Sequence, residues 1–166
     1  NPINTDLLKF KKLHIDQKIK IFHGINRVNY YKKGSDYFEE ALAIINTKYP
    51  DKVEIMMVEN LPYQEYIKTY NEAHIVLDQV LAYDQGYNAL EAMAKGKVVF
   101  TGAETEWLEL HNLKKDTVAI NAIPDPQKIA DKLEFLILNP QKIFEISKNA
   151  IEYVKKEHNY VKSAQK

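Results

Sequence analysis

The sequence predicts an α/β fold built on a doubly wound parallel sheet, and two observations carry that expectation. Short apolar runs alternate with segments of helical spacing along most of the chain. Several of these runs, such as residues 53–58 and 74–78, are continuous rather than alternating, which is the pattern of strands covered on both faces. Right-handed crossovers then place helices on both sides of the sheet. At 166 residues the chain is long enough for one well-packed core and short for two. One domain is expected over residues 18–166, preceded by a segment, 1–17, of uncertain structure. Leu7, Leu8 and Phe10 in that segment could pack on the domain or belong to an interface.

Each element has its own signal. Residues 18–24 alternate polar and apolar up to Gly24, which fits a strand entering a loop through Asn26 to Gly34. From Ser35 the spacing turns helical, with Phe38, Leu42 and Ile45 on one stripe and Ser35 or Asp36 as N-cap. That helix stops before Pro50. Residues 53–58 form a second strand, and Tyr63, Tyr66, Ile67 and Tyr70 after Pro62 form a short amphipathic helix. Residues 74–78 are a third strand, and residues 87–95 a helix ending at Gly96 in the favoured C-terminal position. Residues 97–101 are a fourth strand, 104–110 a helix, 117–120 a fifth strand, 127–138 a helix, and 141–158 the last helix. The lysine-rich tail beyond it has no core pattern and is expected to fray.

Composition narrows the function classes. With 23 basic and 23 acidic residues the formal net charge is zero, so nucleic acid is not an expected partner. Arg27 is the one arginine, and its planar guanidinium suits either bidentate grip on a phosphate or a surface ion pair. The absence of cysteine excludes disulfides and cysteine-based zinc sites. The five histidines lack metal-ligand spacing, and no metal is expected. No apolar run approaches the ~20 residues of a membrane span, and no secretory signal opens the chain. The domain reads as soluble and cytoplasmic. Because the first residue is Asn1 rather than methionine, an upstream part is expected to be missing.

In an open parallel sheet, ligands bind beyond the carboxyl ends of the strands, where helix N-termini offer free amides to anions. Three clusters fall there. The first joins His23, Gly24, Asn26 and Arg27 to Lys32, Lys33 and Gly34; it is either a diphosphate cradle or a flexible basic loop. The second joins Asp78 and Gln79 to Tyr83, Asp84, Gln85 and Gly86, and either orients a ribose or sugar or serves local turns. The helix that follows carries Glu91 among small and apolar residues, where a carboxylate needs a ligand hydroxyl or a lysine as partner. The third is Thr101-Gly102-Ala103-Glu104, which lines the same cleft or simply begins a helix.

The stretch Tyr87-Asn88-Ala89-Leu90-Glu91-Ala92-Met93-Ala94-Lys95-Gly96-Lys97-Val98-Val99 resembles the leucine-glutamate-alanine-methionine-alanine segment of the retaining glycosyltransferases with the GT-B fold, the group 1 glycosyl transferases. Arg27 with Lys33-Gly34 is similar to that family's phosphate-binding arginine and lysine-glycine pair, and Asp78-Gln79 to a variant among bacterial members. The similarity runs from about Lys18 to the last helix. It implies a Rossmann-like domain, the C-terminal half of a GT-B architecture. It also implies transfer of a sugar from a nucleoside-diphosphate donor to an acceptor hydroxyl with retention, in polysaccharide or glycoconjugate synthesis and without a metal. Carried over by position, Arg27 and Lys33 hold the diphosphate leaving group and Glu91 the donor ribose. Gly24, Asn26, Asp78, Gln79, Asp84, Gly86, Tyr87 and Asn88 complete the donor site. The family often has a second glutamate where Tyr83 stands here, and of its glycine-rich loop Gly86 alone persists. The resemblance further implies that an N-terminal domain binds the acceptor, and that peripheral membrane association belongs to that absent half. The chain alone would bind nucleotide weakly and transfer nothing. A non-catalytic Rossmann-like binding or regulatory module is the alternative expectation.

Overall fold

The computed structural model describes residues 13–82 and 85–158. The expectations for residues 1–12, for Tyr83 and Asp84, and for the tail from 159 onward lie outside these residues.

Apolar side chains at positions 19, 21, 53, 75, 77, 98, 100 and 120 point to one side of a five-stranded parallel sheet. The strands are β1 (Ile19–Ile25), β2 (Val53–Glu59), β3 (Ile75–Leu77), β4 (Val98–Thr101) and β5 (Ile120–Asn121). Their order is β2-β1-β3-β4-β5, and every pair is parallel. Because side chains alternate along a strand, the same strands turn Phe22, Val76 and Val99 to the opposite face. Two cores follow. Helices α2 (Ser35–Lys48) and α6 (Pro126–Leu138) cover the first, through Phe38, Leu42, Ile45, Ile129 and Leu133. Helices α3 (Tyr63–Glu72), α4 (Tyr87–Ala94) and α5 (Thr105–Leu110) cover the second, through Tyr70, Leu90, Met93 and Trp107.

The last helix, α7 (Pro140–Glu157), serves both cores, since Ile143 and Ile146 join the first and Ala150, Tyr153 and Val154 the second. Between them, the Ser147 hydroxyl donates to the Gly96 carbonyl. None of the helices is long and apolar enough to cross a membrane, among the described residues.

Punctuation explains most of the boundaries. Gly96 adopts φ +83, Gly96 N donates to Met93 O at 3.0 Å and Lys97 N to Ala92 O at 3.0 Å, the double bond of a Schellman stop for α4. Asp125 caps α6 by accepting from Lys128 N at 3.1 Å, with Pro126 in the first turn.

Four expectations need correction. Strand β1 runs through Gly24 to Ile25 because all seven of its residues pair with β2. The segment from Asn26 to Gly34 is not open loop: the Asn26 side chain accepts from Val28 N at 3.0 Å and starts a 3-10 turn, Arg27–Asn29, which passes into a short helix, α1 (Tyr30–Lys33). The N-cap of α2 is Gly34 in a left-handed conformation, with Ser35 buried inside the helix. Strand β5 is Ile120–Asn121 rather than residues 117–120: Val118 and Ala119 are buried, but pairing with β4 begins only at Ile120, and the Asp116 carboxylate accepts from Asn121 N at 3.1 Å.

Gly34 is tightly constrained by its neighbours. Its φ is +71, and an added Cβ would lie 2.8 Å from the Val80 Cβ. Gly34→Ala is expected to cost about 2–4 kcal/mol in denaturant unfolding, combining left-handed strain with overpacking. Adding Val80→Ala should return part of that cost. A loss below about 1 kcal/mol would contradict the close packing described.

Candidate functional site

Strand order reverses direction between β1 and β3, so the connections leaving those two strands diverge and open a crevice at their carboxyl ends. Beyond Phe22, β1 no longer pairs with β3. The loops that frame this opening are tied to one another. Val80 N, after β3, donates to the Lys33 carbonyl, after β1, at 2.8 Å. Across β3, Asp78 N donates to Phe100 O at 2.9 Å, Thr101 Oγ1 donates to Asp78 Oδ2 at 3.1 Å, and buried Gln85 Nε2 donates to Gly102 O at 2.6 Å. Loops after β1, β3 and β4 are thereby joined into one rim.

Lys33, Asp78, Gln79 and Gly86 are the expected residues that this rim gathers. Burial pushes the Asp78 carboxyl above its ordinary range, and the Lys33 ammonium and the Thr101 hydroxyl oppose that shift only in part. The Gln79 side-chain nitrogen lies 3.7 Å from where a Gly86 Cβ would stand, so the amide covers that glycine. Gly86 is also the extended N-cap of α4, which leaves Tyr87 and Asn88 exposed on the first turn. Asp84 is outside the described residues.

Glu91, half-buried one turn further on, has found the lysine rather than leaving its carboxylate open. Its Oε1 lies 3.3 Å from Lys95 Nζ, and that ammonium sits 5.0 Å from the Tyr70 ring centroid.

Arg27 is not brought to the crevice. Its Nε and Nη2 donate to the two carboxylate oxygens of Glu59 at 2.7 and 2.9 Å, and its guanidinium stacks 4.9 Å from the Tyr30 ring centroid. Glu59 ends β2, on the side of β1 away from β3. This hydrogen-bonded pair holds Glu59 below the usual carboxylate range and raises Arg27, but both groups are open to solvent and salt screens them. The Tyr30 hydroxyl donates to Glu39, which pushes the phenol up to about 12. Asn26 spends its side chain on the turn that begins this segment.

Gly24 lies under Tyr66, whose ring and hydroxyl stand 3.4 Å from the position of an added Cβ. Tyr66 was legible in the sequence only as one of a stripe of aromatics on α3, and such a stripe marks a core as readily as a site. Buried His23 closes the end of the β1–β3 seam: its Nδ1 donates to Leu77 O at 3.0 Å, while Nε2 is buried without a hydrogen-bond partner among the described residues. His74 is a structural residue, accepting from Lys20 N at 2.8 Å and donating to His14 O at 2.7 Å.

Fold and rim together define a doubly wound, Rossmann-like α/β domain with its crevice at the β1/β3 switch point. The chain belongs to the glycosyl transferase-like family, whose model matches residues 21–166. It is similar in fold to the C-terminal domain of LpcC, a glycosyl transferase group 1 family protein from Francisella tularensis, at 21% identity and TM-score 0.70, covering 95% of this chain and 99% of that one. Sucrose-phosphate synthase from Thermosynechococcus elongatus is similar at 18% identity and TM-score 0.69, over 99% of this chain and 50% of that one. HepE from Anabaena, solved in complex with UDP and glucose, is similar at 15% identity and TM-score 0.70, over 99% and 53%. The chain thus spans about half the length of these last two proteins. No curated protein sequence matches it.

Two pH effects follow. Burial pushes both His23 and His74 down from the ordinary 6.5, so the unfolded chain binds protons that the folded one refuses. Stability is expected to fall as pH drops from 7.5 through 6.5 toward the lowered folded values, read by thermal unfolding. Asp78 acts in the opposite sense, because its raised carboxyl makes the ionised form costly in the folded state. Asp78→Asn keeps an acceptor for Thr101 and should raise the unfolding midpoint at pH 7.5 by roughly 2–4 °C. A lowered midpoint would mean that the attraction of Lys33 outweighs desolvation.

Proposed function

We propose that this chain is the donor-binding half of a retaining glycosyltransferase, holding a nucleoside-diphosphate sugar at the β1/β3 switch point while a second domain presents an acceptor hydroxyl. The observation that carries this reading is the joined rim: Lys33, the desolvated Asp78 and the start of α4 converge where a doubly wound sheet binds its ligands. The UDP complex of HepE, a protein of similar fold, supports the choice of ligand class.

In this reading Lys33 and the amides around Gly34 face the diphosphate. Glu91 accepts from ribose hydroxyls, exchanging its bond to Lys95 for bonds to the ligand. Gln79, Gly86, Tyr87 and Asn88 border the sugar and ribose. Arg27 leaves Glu59 for the diphosphate, an exchange made easy because an exposed ion pair is weakly held in water. As the glycosidic bond breaks, charge grows on the departing diphosphate, so cations fixed nearby stabilise the transition state more than the ground state. Side chains and amides supply that charge without a metal ion. The acceptor half belongs to the rest of a longer protein that works in polysaccharide or glycoconjugate synthesis, and membrane association belongs to that half.

Calorimetry with UDP and GDP tests the site. The chain is expected to bind at least one of them in the presence of EDTA, and Glu91→Ala and Lys33→Ala should each weaken binding about tenfold or more. Arg27→Ala should also weaken it, whereas Glu59→Gln should not. The isolated chain should transfer no sugar. Binding that ignores both Glu91→Ala and Lys33→Ala would remove the proposed site.

A further inference from the structure

We infer that the Tyr66 hydroxyl is a further donor-binding group, one that donates a hydrogen bond to a phosphate of the bound nucleotide; the inference rests on the donor-site reading above. The ring is held on both sides. It stands edge-on to Phe22, with centroids 5.4 Å apart at 83°, and stacks on Tyr70 at 6.3 Å and 8°. A ring packed in this way cannot swing away from the crevice without breaking aromatic contacts in the second core.

Its hydroxyl lies over Gly24, 3.4 Å from where a side chain at that position would begin. It therefore occupies space that glycine leaves open at the end of β1. The hydroxyls of Tyr30, Tyr49 and Tyr153 have partners in Glu39, Glu134 and His158, whereas those of core-packed Tyr37 and Tyr70 have no hydrogen bond among the described residues and, unlike Tyr66, do not lie over Gly24. The hydroxyl of half-buried Tyr66 has no hydrogen-bond partner among the described residues, although it stands over Gly24 within electrostatic reach of Asp78 and Glu91.

The surroundings fix what it can do. Burial, then the carboxylates of Asp78 and Glu91, push this phenol above its ordinary value, so it remains a neutral donor throughout the physiological range. Two carboxylates near a diphosphate would repel it, and a neutral O–H within their reach offers attraction without added negative charge. A phosphate oxygen is a stronger acceptor than a ribose hydroxyl, which favours the phosphate as its partner.

The test is Tyr66→Phe, which removes one oxygen and keeps the ring. Ligand-observed NMR titrations would compare wild type and variant with UDP and GDP, each beside its own nucleoside. The expected result is about a five- to tenfold loss of affinity for the diphosphate that wild type binds, with less than about a twofold change for the nucleoside and an unfolding midpoint within about 2 °C of wild type. Unchanged diphosphate affinity would overturn the inference while leaving the donor site standing. An equal loss on diphosphate and nucleoside would also overturn it, since the contact would then lie on the nucleoside. If wild type binds neither diphosphate, the donor-site reading falls and this inference with it.

Discussion

The backbone hydrogen bond from Val80 N to the Lys33 carbonyl is the constraint on which the site depends. It crosses from the loop after β3 to the loop after β1, and it forms because Gly34 turns left-handed and leaves no Cβ between the two segments. Without it the crevice would have two independent lips. With it, Lys33 is held within electrostatic reach of Asp78, and α2 starts in one fixed direction under the sheet. The site is thus preorganised by main chain, on which side chains then act.

The charges around that frame are mostly satisfied from within. Arg27 is gripped by Glu59, Glu91 by Lys95, and Tyr30 by Glu39. Asp78 differs, because it is desolvated with only a hydroxyl and a neighbouring ammonium to offset the cost. In the proposed site a ligand would take Arg27 and Glu91 from these internal pairs, whereas the Tyr66 hydroxyl has no bond to give up among the described residues.

How much of this was legible in the sequence depends on whether the cause was local. The stop at Gly96 and the end of α2 before Pro50 are written in neighbouring residues, and the structure has them where the pattern put them, whereas the Asp125 cap, not picked out in the sequence, starts α6 one residue earlier than expected. The continuous apolar strands foretold a two-faced sheet for the same reason. Strand β5 lies two residues further on than its apolar signal because its pairing is made with Phe100 and Thr101 of β4, distant in sequence, while Val118 and Ala119 are buried without pairing. Partner choice was not legible at all. Arg27 meets a glutamate 32 residues away, and a lone arginine near a glycine reads equally as phosphate ligand or ion pair. Tyr66 was hidden by its own regularity, since its spacing to Tyr70 is that of any helix stripe.

In the proposed site a nucleoside diphosphate lies at the β1/β3 switch point, against the joined loops. An amide-resolved NMR titration of the isotopically labelled chain with UDP and GDP reads that location directly. The largest shifts are expected at Gly24, Lys33, Gly34, Asp78, Gln79, Val80 and the first turn of α4, fading toward α6. Shifts centred on α6 and α7, with the switch-point amides unmoved, would contradict it.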